Sequence, residues 1–131
     1  MADERKTILV VDDAPENIRV LTAVLGPGYR VKAATSGEKA LAMCAADPLP
    51  DLVLLDVVMP GMDGWEACRR LKADPRTAGV PVIFVSGLTD AAERERGTSM
   101  GAADFIVKPL DPADALRRVA ATIGGSGGSR G

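Results

Sequence analysis

Several apolar runs in this sequence end in side chains that could do chemistry together. These side chains are the carboxylates Asp12 and Asp13 after Thr7 to Val11, the carboxylate Asp56 after Leu52 to Leu55, the Ser86 hydroxyl after Val80 to Val85 and the Lys108 ammonium after Asp104 to Val107. Three carboxylates in one site repel one another, and a hard divalent cation that keeps some of its water relieves the repulsion, which favours Mg²⁺. Mg²⁺ and one lysine would also neutralise the three negative charges. The pattern therefore predicts a magnesium site where these runs end.

Asp56 is the candidate reactive centre. A carboxylate held against Mg²⁺ and an ammonium group can attack phosphorus while the two cations neutralise the oxygens of the phosphoryl group. Asp56 would then become an aspartyl phosphate. From its own segment alone, Asp56 has a competing interpretation as an aspartate that caps the following turn.

The apolar runs themselves predict a parallel sheet. Runs such as Leu52 to Leu55 have no polar alternation, which is typical of strands buried on both faces, whereas Tyr29 to Ala34 alternates as an edge strand does. Five strands alternating with five helices, joined by right-handed crossovers, predict a doubly wound α/β fold with strand order 2-1-3-4-5 and helices on both faces. In that order the sheet reverses between strands one and three, so the three carboxylates would share one pocket with Ser86 and Lys108 beside it.

Capping residues and prolines delimit the predicted helices. The helices run from Pro15 to Leu25, from a Thr35/Glu38 capping box to Ala46, from an Asp63 cap to about Asp74, from an Asp90 cap to about Met100, and from an Asp111 cap to Ile123. The chain is thus expected to divide into an N-terminal extension over residues 1–6, one domain over residues 7–123 and a flexible Gly/Ser tail over residues 124–131.

Composition excludes several functional classes. A net charge of −2 without a basic patch or helix-turn-helix pattern argues against direct contact with nucleic acid. No apolar run approaches the ~18 residues of a membrane span and the N-terminus is charged, which predicts a cytoplasmic protein without a signal peptide or anchor. The chain has no histidine, which excludes a Ser-His-Asp triad, and its two cysteines, Cys44 and Cys68, lack the spacing of a metal site.

Four separated motifs agree with one family. They are VVDD at the first strand end, LLDVVMPGMDG around Asp56, VSG at Ser86 and FIVKP at Lys108. On these residues the chain, from about Lys6 to Ile123, resembles the receiver domain of two-component response regulators, the CheY-like family. The resemblance implies a flavodoxin-like (βα)5 fold and a phosphoacceptor signalling domain rather than an enzyme, one that catalyses only its own phosphoryl transfer and slow dephosphorylation.

The resemblance also implies roles for the acidic residues. Asp56 would accept a phosphoryl group from a histidine kinase in a Mg²⁺-dependent reaction. Asp13, Asp56 and the backbone carbonyl of Val58 would ligate Mg²⁺, or Mn²⁺ in its place, and Asp12 would hold the ion through water.

A switch is implied in the same way. Lys108 and Ser86 would contact the phosphoryl group, Ser86 and Phe105 would be the Ser/Thr and aromatic switch residues, and the bond between Lys108 and Pro109 would be a cis peptide. Phosphorylation would draw Ser86 inward and let Phe105 rotate, which changes the surface formed by the fourth helix, the fifth strand and the fifth helix. Without the resemblance, Ser86 would be a plain turn residue and Phe105 a core aromatic.

The implied partners are proteins. A histidine kinase or a phosphotransfer protein would donate the phosphoryl group, and a downstream target or a fused output domain would bind the switched face, with a homodimer on phosphorylation as a further option. Val58 and Leu88 are apolar where many receivers carry polar groups that guide attacking water, which predicts a long-lived phosphoryl group.

Three other readings compete with this one. The main alternative is a degenerate receiver that acts as a non-phosphorylated interaction scaffold. A phosphatase of the haloacid dehalogenase type needs a second aspartate two residues after the nucleophile, where Val58 stands. A nucleotide-binding module needs a GxGxxG or GxxxxGK loop after the first strand, and neither occurs.

Overall fold

The chain folds as strands and helices in strict alternation. The computed structural model describes residues 5–46, 48–87 and 90–124. Its elements are β1 (Thr7–Val11), α1 (Pro15–Leu25), β2 (Arg30–Ala34), α2 (Gly37–Ala46), β3 (Leu52–Asp56), α3 (Gly64–Ala73), β4 (Val82–Ser86), α4 (Ala91–Ser99), β5 (Asp104–Val107) and α5 (Pro112–Ile123). All neighbouring strands are parallel and their order is β2-β1-β3-β4-β5, which confirms the predicted doubly wound fold.

Alternate residues of the central strands build two hydrophobic cores, one on each face of the sheet. In β3, Val53 and Leu55 pack with residues of α2 and α3, whereas Leu52 and Leu54 pack with residues of α1 and α5. All residues of β3 are buried, as the apolar run predicts for a strand covered on both faces. Each such Leu or Val contributes about 1.5–3 kcal/mol by its burial, so the strand that ends in Asp56 is firmly fixed.

Two strands begin later than the sequence predicts. β2 starts at Arg30, and Tyr29 is instead a buried turn residue whose hydroxyl donates a hydrogen bond of 3.0 Å to the Gly124 carbonyl. β4 starts at Val82, because Pro81 has no N–H to donate to a strand ladder. The Pro81 carbonyl still accepts a hydrogen bond of 3.0 Å from the Val53 N–H.

The predicted caps of α3, α4 and α5 are present. Asp63, Asp90 and Asp111 each accept a hydrogen bond from a backbone N–H in the first turn of the helix that follows. The predicted Thr35/Glu38 capping box is wrong. α2 begins one residue later than that box requires, and Ser36 Oγ accepts the hydrogen bond from the Lys39 N–H at 3.1 Å.

The ends of the chain are only partly described. Arg5 donates from Nη1 to the Gly26 carbonyl at 2.9 Å, and the Lys6 carbonyl accepts from the Arg30 N–H at 2.9 Å. Residues 125–131 of the predicted tail lie outside the described residues, so the division at residues 7 and 123 stays a prediction. None of the described helices has the length and apolar character that a membrane crossing requires.

Candidate functional site

Strand register brings the candidate side chains to one edge of the sheet. Val11 of β1 pairs with Leu55 of β3, so the residues that follow them, Asp12 and Asp56, lie side by side. Asp56 pairs in turn with Val85, the neighbour of Ser86. The candidate site is therefore at the carboxyl ends of the strands, where the sheet order reverses.

The three carboxylates form a compact acidic cluster. Asp12, Asp13 and Asp56 can each offer one oxygen, and these oxygens all lie within 4.8 Å of one another. Asp12 and Asp56 are buried, at 2% and 5% exposure, whereas Asp13 is exposed. Hard oxygen ligands with one side open to water are the donor set that Mg²⁺ prefers, so these residues fit the ion.

The Lys108 ammonium lies against this cluster. Its Nζ is 3.2 Å from Asp56 Oδ1 and 3.5 Å from Asp12 Oδ2. The Lys108 N–H donates to the Ser86 carbonyl at 2.9 Å, and the bond between Lys108 and Pro109 is cis. The lysine is thus fixed to the end of β4 through its backbone while its single positive charge lies within 3.5 Å of two of the carboxylates.

The environment of Asp56 opposes its negative charge. Burial raises the pKa of the Asp56 carboxyl most strongly, and the nearby Asp12 carboxylate raises it further. The Lys108 ammonium, and a 3.4 Å contact from the Val58 N–H to Asp56 Oδ1, lower this pKa but do not cancel the rise. A cation added to the cluster would therefore stabilise the ionised form of Asp56.

The two predicted switch residues occupy different places. Ser86 is buried at the end of β4, at the same edge as the acidic cluster. Phe105 pairs with Phe84 within the sheet, below that edge, and its partly buried ring packs beneath α4. The Val58 side chain is 66% exposed beside the cluster, and Leu88 lies outside the described residues.

Asn17 is a site residue that the sequence reasoning missed. Its Nδ2 donates to Asp12 Oδ2 at 3.1 Å, and the Ala14 N–H donates to Asp12 Oδ1 at 2.9 Å. These donors orient the buried Asp12 carboxylate. An amide in the first turn of α1, which starts right after the paired aspartates, was the available signal.

Gly64 was missed as well. A Cβ at this position would lie 2.2 Å from the Asp56 carbonyl oxygen, so only glycine lets the first residue of α3 approach the end of β3. The Gly64 N–H also donates to the Val57 carbonyl at 2.8 Å. A glycine at the first position of a helix, right after the Asp63 cap, was the signal here.

Comparisons with known proteins agree with this geometry. The family model of the response regulator receiver domain matches residues 8–120. The chain is 49% identical over 113 residues to the response regulator PleD of Caulobacter vibrioides, a match that covers 86% of this chain and 25% of PleD. It is 38% identical over 119 residues to the protein PilH of Pseudomonas aeruginosa, which covers 90% of this chain and 98% of PilH.

Solved structures give the same picture. A receiver domain of the sensor histidine kinase PA1611 from Pseudomonas aeruginosa, with a magnesium ion in its active site cleft, is 31% identical and superposes with a TM-score of 0.81 over 91% of this chain and 98% of that one. The chain spans only a quarter of PleD, so the match concerns this domain and not the activity of the longer protein. On the family match and these relatives, the chain belongs to the receiver domains of two-component response regulators.

Proposed function

We propose that Asp56 accepts a phosphoryl group in a Mg²⁺-dependent reaction and that the resulting aspartyl phosphate switches a protein-binding surface. Receiver domains are signalling domains that interact with histidine kinases and output domains. The observation that carries the proposal for this chain is the acidic cluster, with the Lys108 ammonium 3.2 Å from Asp56 Oδ1. A buried carboxylate with both a cation site and a lysine beside it is equipped to receive a phosphoryl group.

The phosphoryl transfer forms one bond to phosphorus and breaks another. A carboxylate oxygen of Asp56 attacks phosphorus, a new O–P bond forms, and the bond from phosphorus to the donor breaks with its electron pair leaving on the donor. The donor is a phosphohistidine on a kinase or phosphotransfer protein, from which the imidazole leaves, or acetyl phosphate, from which acetate leaves. When bound, Mg²⁺ would neutralise the phosphoryl oxygens, held by Asp13, Asp56 and the Val58 carbonyl, with Asp12 acting through water.

Lys108 and Ser86 act after the attack in this proposal. Formation of the acyl phosphate removes the Asp56 charge that Lys108 pairs with, and the phosphoryl group brings about two negative charges to the same place. The Lys108 ammonium then follows that charge, and the Ser86 hydroxyl donates to a phosphoryl oxygen. Phe105 responds to the movement of Ser86, which carries the change from the edge of the sheet to α4 and β5.

The partner surface is the face formed by α4, β5 and α5. Val107 of β5 and Leu116 of α5 are 36% and 40% exposed, so this face has apolar side chains available to a downstream protein, an output domain or a second copy of the chain. We place the reaction in the cytoplasm, where Cys44 and Cys68, two buried thiols outside any disulfide, remain reduced.

Intact mass spectrometry tests the phosphoryl transfer. We expect one phosphoryl adduct after incubation with acetyl phosphate and Mg²⁺, and we expect none with EDTA or in an Asp56→Asn variant. Glu95→Gln, an exposed substitution on α4 that removes one negative charge, serves as the matched variant that keeps the adduct.

Two results would count against the proposal. An adduct on another residue, or one that persists in EDTA, would remove Asp56 or Mg²⁺ from the reaction. No adduct, together with no Mg²⁺ binding by calorimetry, would leave the domain as a non-phosphorylated interaction scaffold.

A further inference from the structure

The helix α4 contributes almost no apolar surface of its own to the core. Its sequence is AAERERGTS, and within this helix, all of whose residues are described, Gly97 is the only buried residue. By contrast, α5 buries Ala115 and Val119, and α1 buries Leu21 and Leu25. Something other than buried apolar side chains of its own must therefore hold α4 against the sheet.

The ring of Phe105 fills the place where a side chain of residue 97 would be. A Cβ at Gly97 would lie 2.2 Å from Phe105 Cζ and 2.9 and 3.2 Å from the two ε carbons. Distances this short exclude every residue but glycine while the ring keeps its position. At this contact, the Phe105 ring of β5 thus packs directly on the backbone of α4 at Gly97.

Two arginines of α4 add to this contact. Phe105 packs on Phe84 with centroids 5.8 Å apart, and Phe84 packs on Trp65 at 4.7 Å, so the three rings form one aromatic cluster. Arg94 lies over the Phe105 ring at 5.8 Å and Arg96 over the Trp65 ring at 4.5 Å. Cation–π contacts of exposed arginines are weak, so the arginines supplement the ring contact at Gly97 without replacing it.

One further side chain of α4 has a buried polar atom. Glu93 lies one turn before Gly97 on the same side of the helix, and its Oε1 is buried without a hydrogen-bond partner among the described residues. A buried acceptor left unpaired costs free energy.

We propose that Gly97 is a positioning residue for Phe105, and that the seating of the ring on Gly97 is the main attachment of α4 to the domain. The position of α4 is then coupled to the position of the Phe105 ring: a ring that turns away removes the attachment, and a side chain at residue 97 forces the ring out. Only the trigger, phosphorylation of Asp56, rests on the proposed function.

Hydrogen exchange of the unphosphorylated protein tests this attachment. In an ordinary helix, a Gly→Ala substitution stabilises the helix, because alanine has the higher helix propensity. Here we expect Gly97→Ala to speed exchange of the α4 amides by about tenfold or more, since overpacking outweighs propensity. Ser99→Ala, an exposed substitution on the same helix, is the matched control and should leave α4 exchange unchanged or slower.

A double variant separates a lost ring contact from general misfolding. With Phe105→Ala the ring is absent, so α4 should already exchange fast, and adding Gly97→Ala should then slow its exchange, because the new Cβ meets no ring. Slower α4 exchange in the single Gly97→Ala variant, or faster exchange on adding Gly97→Ala to Phe105→Ala, would overturn the proposal.

Because these measurements use unphosphorylated protein without Mg²⁺, they stand even if Asp56 accepts no phosphoryl group. In wild-type protein whose phosphorylation has been verified by mass, faster α4 exchange is expected. Unchanged α4 exchange in such a sample would overturn the coupling between the ring and the helix.

Discussion

At Asp56, one carboxylate must ionise in surroundings that oppose its charge. Burial and the neighbouring Asp12 raise its pKa, and Lys108 offsets only part of that rise. The ionised Asp56 carboxylate is thus electrostatically unfavourable in this site. A bound cation, or phosphorylation with new ligands to the phosphoryl group, would relieve this unfavourable interaction. In the proposed function, this unfavourable electrostatic environment, rather than any one contact, makes Asp56 reactive.

The unfavourable environment of the Asp56 carboxylate predicts that removing its charge stabilises the folded protein. In EDTA we expect Asp56→Asn to raise the free energy of unfolding at neutral pH. A carboxyl whose pKa is raised by folding contributes stability that is full below the unfolded pKa and is lost as pH rises through the folded pKa. Asparagine does not ionise, so the variant does not lose stability over that range. Its free energy of unfolding should therefore exceed that of the wild type above pH about 4, and the difference should vanish below that pH.

Urea unfolding over a pH series measures this difference. The Glu95→Gln variant controls for the change in net charge. A wild-type protein more stable than Asp56→Asn at neutral pH, in the absence of divalent ions, would show that the Lys108 pairing dominates.

The apolar side chain of Val58 predicts a long lifetime for the phosphoryl group on Asp56. Its side chain is 66% exposed next to Asp56 and has no polar atom to orient an attacking water. We expect Val58→Asn to shorten the lifetime of the aspartyl phosphate several-fold, because an amide can orient water in line with the phosphorus. Intact mass over time after removal of acetyl phosphate measures the rate, with Val20→Asn, an exposed valine on α1, as the matched control. Equal lifetimes in wild type and Val58→Asn would contradict a role for this side chain.

At the scale of elements, β3 and α3 approach each other closely where the strand ends and the helix begins. β3 ends at Asp56, and α3 begins eight residues later against the same backbone, which Gly64 permits. The loop between them therefore cannot relax independently of the phosphoacceptor.

A methyl group at Gly64 should disturb this junction. We expect Gly64→Ala to lower the free energy of unfolding by about 1–3 kcal/mol, because its Cβ would overlap the Asp56 carbonyl. Gly79→Ala is the matched control, since a Cβ at Gly79 meets nothing within 4 Å, and its effect should stay within about 0.5 kcal/mol. Urea unfolding compares the two, and equal effects would mean that the junction adjusts without cost.

What the sequence could predict at this scale follows from periodicity. The strands and their buried faces were predictable, because apolar runs carry that information locally. The polar residues at the strand ends were predictable as well, because they directly follow these runs in the sequence. Asn17, Gly64 and Gly97 were not predicted, since their contacts depend on how helices pack onto the sheet. The cap of α2 is Ser36 and not the predicted Thr35, and the two neighbouring hydroxyls offer similar local chemistry, so the sequence alone does not distinguish them.

At the scale of the whole molecule, the acidic cluster and the proposed partner face are separate surfaces joined by the sheet. Val107 and Leu116 lie on the proposed partner face, one and two elements after α4 in the chain. Communication between the surfaces then requires movement of packed groups rather than direct contact with the phosphoryl group.

Self-association tests the partner face. We expect the phosphorylated chain to form a dimer that light scattering coupled to gel filtration detects, because two copies can bury Val107 and Leu116 together. Leu116→Glu should stay monomeric while its adduct mass remains, whereas Val20→Glu should dimerise like wild type. A dimer that survives Leu116→Glu would place the interface elsewhere.

Trp65 gives the molecule a built-in optical reporter. It is the sole tryptophan of the chain, it is 6% exposed, and it lies between Phe84 and the Arg96 guanidinium of α4. Departure of α4 would hydrate the indole, shift its fluorescence emission to the red and open it to quenching by iodide. The motion of one helix can therefore be followed in real time in the unlabelled protein.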